Sequence, residues 1–265
     1  MLSTRILTAI VTIPILTFIL YQGGIYWTLL FALIAALGLF EFYNMISSKG
    51  LAPLWLLGYL TMFLILFSSY YLEFIGIIIF ILIFTIVLFT IVFYPQKTIG
   101  EISLSLFGSI YIGYLLHYAI NVQTLNNAFW IILLAFILTW ASDVGGYFFG
   151  RLFGREKIAP LLSPNKTWAG AIGSIVFSVV ITIGYFSFVP LNNIEFINLI
   201  TLGIIASIMA QLGDLFISSV KRYCNAKDSG NIIPGHGGVL DRFDSFILVL
   251  PTVYYFFTFY LNMFI

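Results

Sequence analysis

The sequence predicts an all-α fold: a polytopic integral membrane helix bundle of about nine transmembrane helices with a cytoplasmic N-terminus. Three observations predict it. The 265-residue chain is 62% hydrophobic and 8% charged, whereas a water-soluble globule is about half apolar. The stretches from Phe74 to Phe93 and from Ala169 to Val189 hold no charged residue, and each is long enough to cross a hydrocarbon core of roughly 30 Å. Finally, once spans are drawn between charges, prolines and polar clusters, the cations sort to one side.

Those breaks place spans near residues 5–21, 25–46, 54–72, 75–94, 102–121, 128–150, 169–189, 194–218 and 245–264. The first is read as a retained helix. Arg5 precedes an apolar run from Ile6 to Leu20, no small-x-small cleavage site follows, and further spans do. With nine spans, Arg5, Lys49, Lys97, the group Arg151, Arg155, Lys157 and Lys166, and the group Lys221, Arg222, Lys227 and Arg242 share one face. That is all 11 Lys and Arg, and the positive-inside rule makes that face cytoplasmic. Eight spans would scatter them over both. Trp55, Trp130, Trp168 and Trp27 fall near span ends, as interfacial anchors do.

Several classes are excluded early. A lone Cys224 allows no intramolecular disulfide and no zinc set. A net charge of +1 supplies no bulk field for nucleic acid, so any polyanion site is local. No repeat, linker or low-complexity tail divides the chain. The sequence therefore suggests one transmembrane domain over 1–265, with mainly structural spans in 1–122 and catalytic spans and cytoplasmic loops in 128–265. Small residues such as Gly170–Ser174 permit close helix contacts and leave a homodimer open. A bacterial inner membrane is the expected location for so compact a chain.

The chemistry gathers in the C-terminal half, which holds all the aspartates. Asp143 and Asp214 lie about two turns before Arg151 and Lys221, roughly 11 Å below the cytoplasmic surface. An ionised side chain at such depth costs about 2–3 kcal/mol and is usually paired or functional. The bland reading is an ion pair with a neighbouring helix; the sharper one is a metal or substrate site. Asp241 and Asp244 open the last span at i, i+3, with Cβ atoms about 5–6 Å apart on one helix face. Helix capping explains one such carboxylate but not a converging set. Mg²⁺ takes one or two carboxylates together with waters and substrate phosphates. Asp214, Asp241 and Asp244 suit it, with room for a second cation.

Between them runs "IPGHGG". Gly235, Gly237 and Gly238 let backbone N–H groups approach an anion, beside Lys221, Arg222, Lys227 and Arg242. An ordinary turn is the alternative. His236 can donate to a phosphate or transfer a proton. The other long loop ends in "SPNKTWAG", where Pro164 suggests a turn and Lys166 and Thr167 offer a cation and a hydroxyl at a helix entrance. The loop's four cations also fit a positive-inside signal, for Arg151 equally well. Glu41, Glu73 and Glu101 lie outside the cluster and receive no catalytic role. His117 reads as a hydrogen-bonded core histidine.

These residues resemble the signature of phosphatidate cytidylyltransferases. Ser218, Lys221–Arg222, Lys227–Asp228, Gly230, Pro234, His236–Gly237–Gly238, Asp241–Arg242 and Asp244 match S-x-x-K-R, K-D-x-G and P-x-H-G-G-x-x-D-R-x-D without departure. The upstream block "SDVGGYFFGRLFGREKIAPLLSPNKTWAG" is similar to that family's second block. It departs at Ala169, where members usually carry an acidic residue. The motifs cover roughly residues 139–250.

The resemblance implies transfer of a cytidylyl group from CTP to phosphatidic acid, giving CDP-diacylglycerol and pyrophosphate, with Mg²⁺ required. It also implies an active site that faces the cytoplasm while the lipid tails stay in the bilayer. On this view Asp214, Asp241 and Asp244 hold Mg²⁺, and Lys221, Arg222, Lys227, Arg242 and the glycine loop contact phosphates. Asp143, Lys166 and Thr167 complete the pocket, and Asp228 orients Lys227 or binds a cation. A CTP-dependent lipid kinase is the alternative enzyme, with His236 or an aspartate as the base for a hydroxyl. A transporter using Asp143 and Asp214 is the alternative outside enzymes.

Overall fold

Hydrophobic helices make up most of the described chain. The structure, a computed structural model, describes residues 2–68, 75–189 and 194–262; the expectation for Glu73 falls outside them. The N-terminal half forms α1 (Leu2–Gln22), α2 (Gly24–Ser48), α3 (Trp55–Phe67), α4 (Ile75–Val92), α5 (Ile99–Ser109) and α6 (Leu115–Val122), with a π-helical turn at Ile110–Tyr114 joining the last two. Then come α7 (Ala128–Phe153), strands β1 (Lys157–Ala159) and β2 (Ser163–Thr167), α8 (Trp168–Phe188), α9 (Phe196–Tyr223), the short α10 (Leu240–Phe243) and α11 (Phe246–Asn262).

Among the described residues, five helical stretches have the length and hydropathy to cross a membrane: Gly24–Ser48, Ile99–Val122, Ala128–Phe153, Trp168–Phe188 and Phe196–Tyr223. Shorter apolar helices cover Ile10–Gln22, Trp55–Leu66 and Phe80–Val92. The protein is an all-α, polytopic integral membrane protein that also carries a small antiparallel hairpin. The sequence suggests one domain; the chain gathers into two compact units, Met1–Asn121 with Tyr223–Asp241, and Val122–Arg222 with Arg242–Ile265. The signature loop therefore belongs with the N-terminal helices.

In the first unit, α2, α3 and α5 close on a core that includes Phe31, Leu39, Phe42, Tyr43, Met62, Leu66, Ile102 and Leu106, all nearly fully buried. Tyr43 donates to the Ser105 carbonyl and also bonds the Ser109 hydroxyl at 3.1 Å, so a polar tip inside the core is satisfied. α5 begins on a capping box in which Thr98 and Glu101 serve each other's backbone. Glu101 also accepts from the Ala52 amide at 2.8 Å, which gives this acid a structural task. Trp27 corrects the sequence reading. It is 1% exposed and its indole donates to the Ala119 carbonyl at 2.9 Å, so it is a core residue and not an interfacial anchor. His117 is buried and bonds Asn121 at 2.7 Å, as expected of a core histidine.

Gly58 gives a first prediction. A Cβ there would lie 1.7 Å from the Tyr43 hydroxyl oxygen and 2.6 Å from the adjoining ring carbon. The ring cannot retreat without losing its two partners. Gly58→Ala is expected to destabilise the protein by about 1–3 kcal/mol, read as a lower melting temperature in detergent.

In the second unit, α7 and α8 cross closely because glycines face each other. A Cβ on Gly145 would meet the Gly173 carbonyl at 2.7 Å, and one on Gly170 the Gly146 carbonyl at 2.9 Å. Small residues permit such backbone approach in a membrane. α11 packs on α7, with Phe246 stacked on Phe136 at 4.2 Å between ring centroids. α9 reaches the start of α11, where a Cβ on Gly213 would meet the Asp244 carbonyl at 2.3 Å. Thr167 caps α8 by accepting from the Gly170 amide at 3.1 Å, so β2 runs directly into that helix.

Candidate active site

The second unit brings four of the expected residues to one place. β1 and β2 pair antiparallel, with Lys157 opposite Thr167 and Ala159 opposite Ser163. The turn falls at residues 160–162, and Pro164 lies in β2 rather than forming the turn suggested by the sequence. The Arg222 side chain, at the end of α9, donates to the Leu162 carbonyl at 3.2 Å and ties that turn to the helix. The hairpin thereby delivers Lys166 to α9, where its ammonium sits 2.7 Å from Asp214 Oδ2. Lys166 also reaches the Gln211 carbonyl at 3.4 Å, while the Ser218 hydroxyl donates to Asp214 Oδ1 at 3.2 Å.

This pair faces a cavity of about 590 Å³ whose lining includes Asp143, Gly146, Lys166, Thr167, Gly170 and Asp214. The volume suits a small-molecule ligand. Side-chain exposures of 23% for Lys166 and 33% for Asp214 leave both within a ligand's reach. Thr167 lines the same cavity, although its hydroxyl oxygen already serves as the α8 cap.

Charge is concentrated here. Asp214 and Asp143 act electrostatically on each other, and both act on Asp244. Lys166 and Arg242 oppose the charge at Asp143, and Lys221 opposes it at Asp244. Burial first, and the Asp214 carboxylate second, push the Asp244 carboxyl up to about 7, while the Ser245 amide, donating at 2.7 Å, pulls the other way. Carboxylate oxygens are hard donors of the kind Mg²⁺ prefers. Among the described residues, no three His, Cys, Asp or Glu side chains converge to hold an ion by themselves. Mg²⁺ commonly completes its shell with substrate phosphates and water, so it does not require three protein carboxylates.

The rest of the signature lies in the first unit. At Ile233–Gly237 the chain folds back on itself, with the Ile233 amide donating to the Gly237 carbonyl at 2.9 Å and the His236 amide to the Ile233 carbonyl at 3.0 Å. Gly235 and Gly237 take φ of 76° and 83°, which only glycine adopts cheaply. Asp241 Oδ2 accepts from the Ser229 amide at 2.8 Å and the Gly238 amide at 3.1 Å. Asp228 lies against the same turn, 3.6 Å from a Cβ built on Gly237. Lys227 and Asp228 are exposed and His236 is half-buried.

Of the three expected metal ligands, Asp214 and Asp244 thus belong to the second unit. Asp241 belongs to the first, where it secures the loop. Lys221, Arg222 and Arg242 go with the second unit, and Lys227, Asp228, His236 and the glycines with the first.

Sequence reasoning passed over Glu41. Its side chain is 1% exposed on α2, and its carboxylate accepts from the Ser229 hydroxyl and the Val239 and Leu240 amides at 2.8–2.9 Å. The anion at these loop amides is an internal carboxylate. A signal was present: Glu41 is the sole charged residue in Gly24–Ser48, and a charge inside a span marks a functional site by default.

The fold defines an integral membrane protein, and comparison with known proteins gives its family. The chain belongs to the cytidylyltransferase family, whose family model matches residues 3–260. It is 34% identical to the phosphatidate cytidylyltransferase of Bacillus subtilis strain 168 over 261 residues, 96% of this chain and 97% of that protein. It is 36% identical to the protein of the same name from Staphylococcus epidermidis RP62A over 94% of this chain and 96% of that one. The Staphylococcus haemolyticus counterpart is 37% identical over the same shares. The relationship extends through the N-terminal helices, beyond the motifs at roughly residues 139–250.

Proposed function

We propose that the protein transfers the cytidylyl group of CTP to phosphatidic acid, forming CDP-diacylglycerol and pyrophosphate, on the cytoplasmic face of a bacterial inner membrane. The observation that carries this reading is the Lys166–Asp214 pair, set with Asp143 in an open cavity of the second unit. It occurs in a chain whose relatives carry that activity in their names.

A phosphate monoester is already a nucleophile at neutral pH, so the reaction needs alignment and charge neutralisation more than a strong base. A phosphatidate oxygen forms a bond to the α-phosphorus of CTP. The bond from that phosphorus to the oxygen bridging to the β-phosphate breaks, and pyrophosphate leaves. Lys166 offers an ammonium to phosphate oxygens, and Lys221, Arg222 and Arg242 add positive charge within the same unit. Asp214 and Asp244, with Asp143 beside them, are the residues we assign to Mg²⁺. When bound, that ion supplies charge neutralisation at the reacting phosphate. Lys227 and His236 are assigned to phosphate through the signature they share with the family.

The test uses protein purified in detergent with phosphatidic acid, Mg²⁺ and CTP labelled at the α-phosphate. Label entering the lipid with an equal amount of pyrophosphate is the expected result. Label left in CDP, with a lipid alcohol phosphorylated when one is offered, would replace this reading with a lipid kinase. Folded protein that turns over neither substrate would overturn both.

A further inference from the structure

Glu41 makes an arrangement that packing alone does not require. Oε2 accepts from the Ser229 hydroxyl at 2.9 Å and the Leu240 amide at 2.8 Å, and Oε1 accepts from the Val239 amide at 2.9 Å. These partners lie 188 to 199 residues away in sequence, on the loop that carries the family signature. Two signature glycines are explained by the same carboxylate. A Cβ on Gly230 would lie 2.6 Å from Oε1, and one on Gly238 would press first on the Ser229 hydroxyl that Glu41 holds and then on Oε2, at 2.4 Å. Neither glycine has a positive φ, so space beside Glu41 and its partner Ser229, and not backbone conformation, is what a side chain there would violate.

We propose that Glu41 is a positioning residue of the transferase: a carboxylate in the second helix that fixes the register of the signature loop, and through it the loop's charged groups. Glu41 touches no substrate in this proposal. It acts through Ser229, Val239 and Leu240; along the loop Lys227 precedes Ser229, His236 lies between Ser229 and Val239, and Asp241 follows Leu240. The proposal rests on the cytidylyl-transfer reading for its kinetic part, but not for its structural part.

The decisive substitution is Glu41→Gln, which keeps size and shape. A carboxylate offers an acceptor at both oxygens, whereas an amide offers one acceptor and one NH₂ donor. Placed on the Oε1 side, that NH₂ faces the Val239 N–H; placed on the Oε2 side, it faces the Leu240 N–H. Neither orientation satisfies both amides, so a buried donor loses its acceptor either way.

Two readouts on the full-length protein in detergent separate the possibilities. Without substrate, hydrogen exchange at the Val239 and Leu240 amides is expected to speed up by about tenfold or more, while the α5 amides keep their protection. With substrates, kcat/KM for CTP is expected to fall by about tenfold to a hundredfold at an unchanged folded fraction. Glu101→Gln is the comparison, because that acid caps a helix elsewhere in the same unit. It is expected to lower the melting temperature and leave KM for CTP in place.

Unchanged exchange at 239 and 240, or activity that merely tracks the folded fraction as in Glu101→Gln, would overturn the proposal. Should Glu41→Gln fail to fold, Gly230→Ala decides. Its Cβ presses on Oε1, and the same exchange and kinetic pattern is expected, with normal values overturning the proposal. Wild-type protein that fails to label the lipid would sink the cytidylyl reading instead, leaving the exchange result to decide whether Glu41 holds the loop.

Discussion

Asp214→Asn is expected to lower cytidylyl transfer by about 10³-fold in protein that still inserts and melts close to the wild type. The two halves of that expectation come from different features. Stability is spared because the Lys166–Asp214 pair is partly exposed, and exposed ion pairs contribute only about 0–1 kcal/mol. The Ser218 hydroxyl, moreover, finds an acceptor in an asparagine as readily as in an aspartate. Activity is lost because the carboxylate is the one that Lys166 pairs with and that acts on both Asp143 and Asp244. In the proposed reaction that charge helps set the field at the phosphates. Asp244→Asn is expected to be comparably inactive. Initial rates of lipid labelling over a Mg²⁺ titration check both. A rate within about threefold of wild type at saturating Mg²⁺ would remove the residue concerned from the proposed metal set.

What was legible in the sequence follows a physical division. Membrane class reads directly from composition, since apolar runs without charge leave water no role. The cavity of the second unit was legible for a related reason. Asp143 and Asp214 are conspicuous because charge is rare in such spans, and Lys166 with Thr167 stands at a helix entrance that chemistry marks. Contacts between distant segments were not legible. Nothing local to Glu41 announces Ser229 or Leu240, so an acid in the second span looked unrelated to a loop near the C-terminus. Trp27 failed for a similar reason. A tryptophan near a span end looks the same whether its indole meets lipid headgroups or the Ala119 carbonyl, and only tertiary structure chooses. The hairpin at 157–167 was missed because its strands are too short to carry a period, and Pro164 suggested a turn where the chain is extended. At Asp241, capping and metal binding predict the same residue type at the same position. The structure shows two loop amides on its Oδ2, a use that spacing alone does not distinguish.

Lys166→Met should cost about 10²-fold in kcat/KM, and the informative result is how that loss combines with Asp214→Asn. The two side chains meet at 2.7 Å, with the Gln211 carbonyl as a further acceptor for the ammonium. Groups that act as one unit give losses that do not add, because removing the first already disables what the second contributes. The double variant is therefore expected to be no slower than Asp214→Asn alone, within about threefold. Lys166→Arg separates charge from shape. A guanidinium keeps the positive charge but is a broad planar fork, whereas the site offers acceptors arranged around a compact ammonium. About a tenfold loss is expected in that variant, smaller than for Met and larger than for a purely electrostatic role. Full activity in Lys166→Arg would mean that charge alone suffices there. Multiplicative losses in the double variant would mean that Lys166 meets the substrate independently of Asp214, and the pair would then be a resting contact, not a catalytic unit.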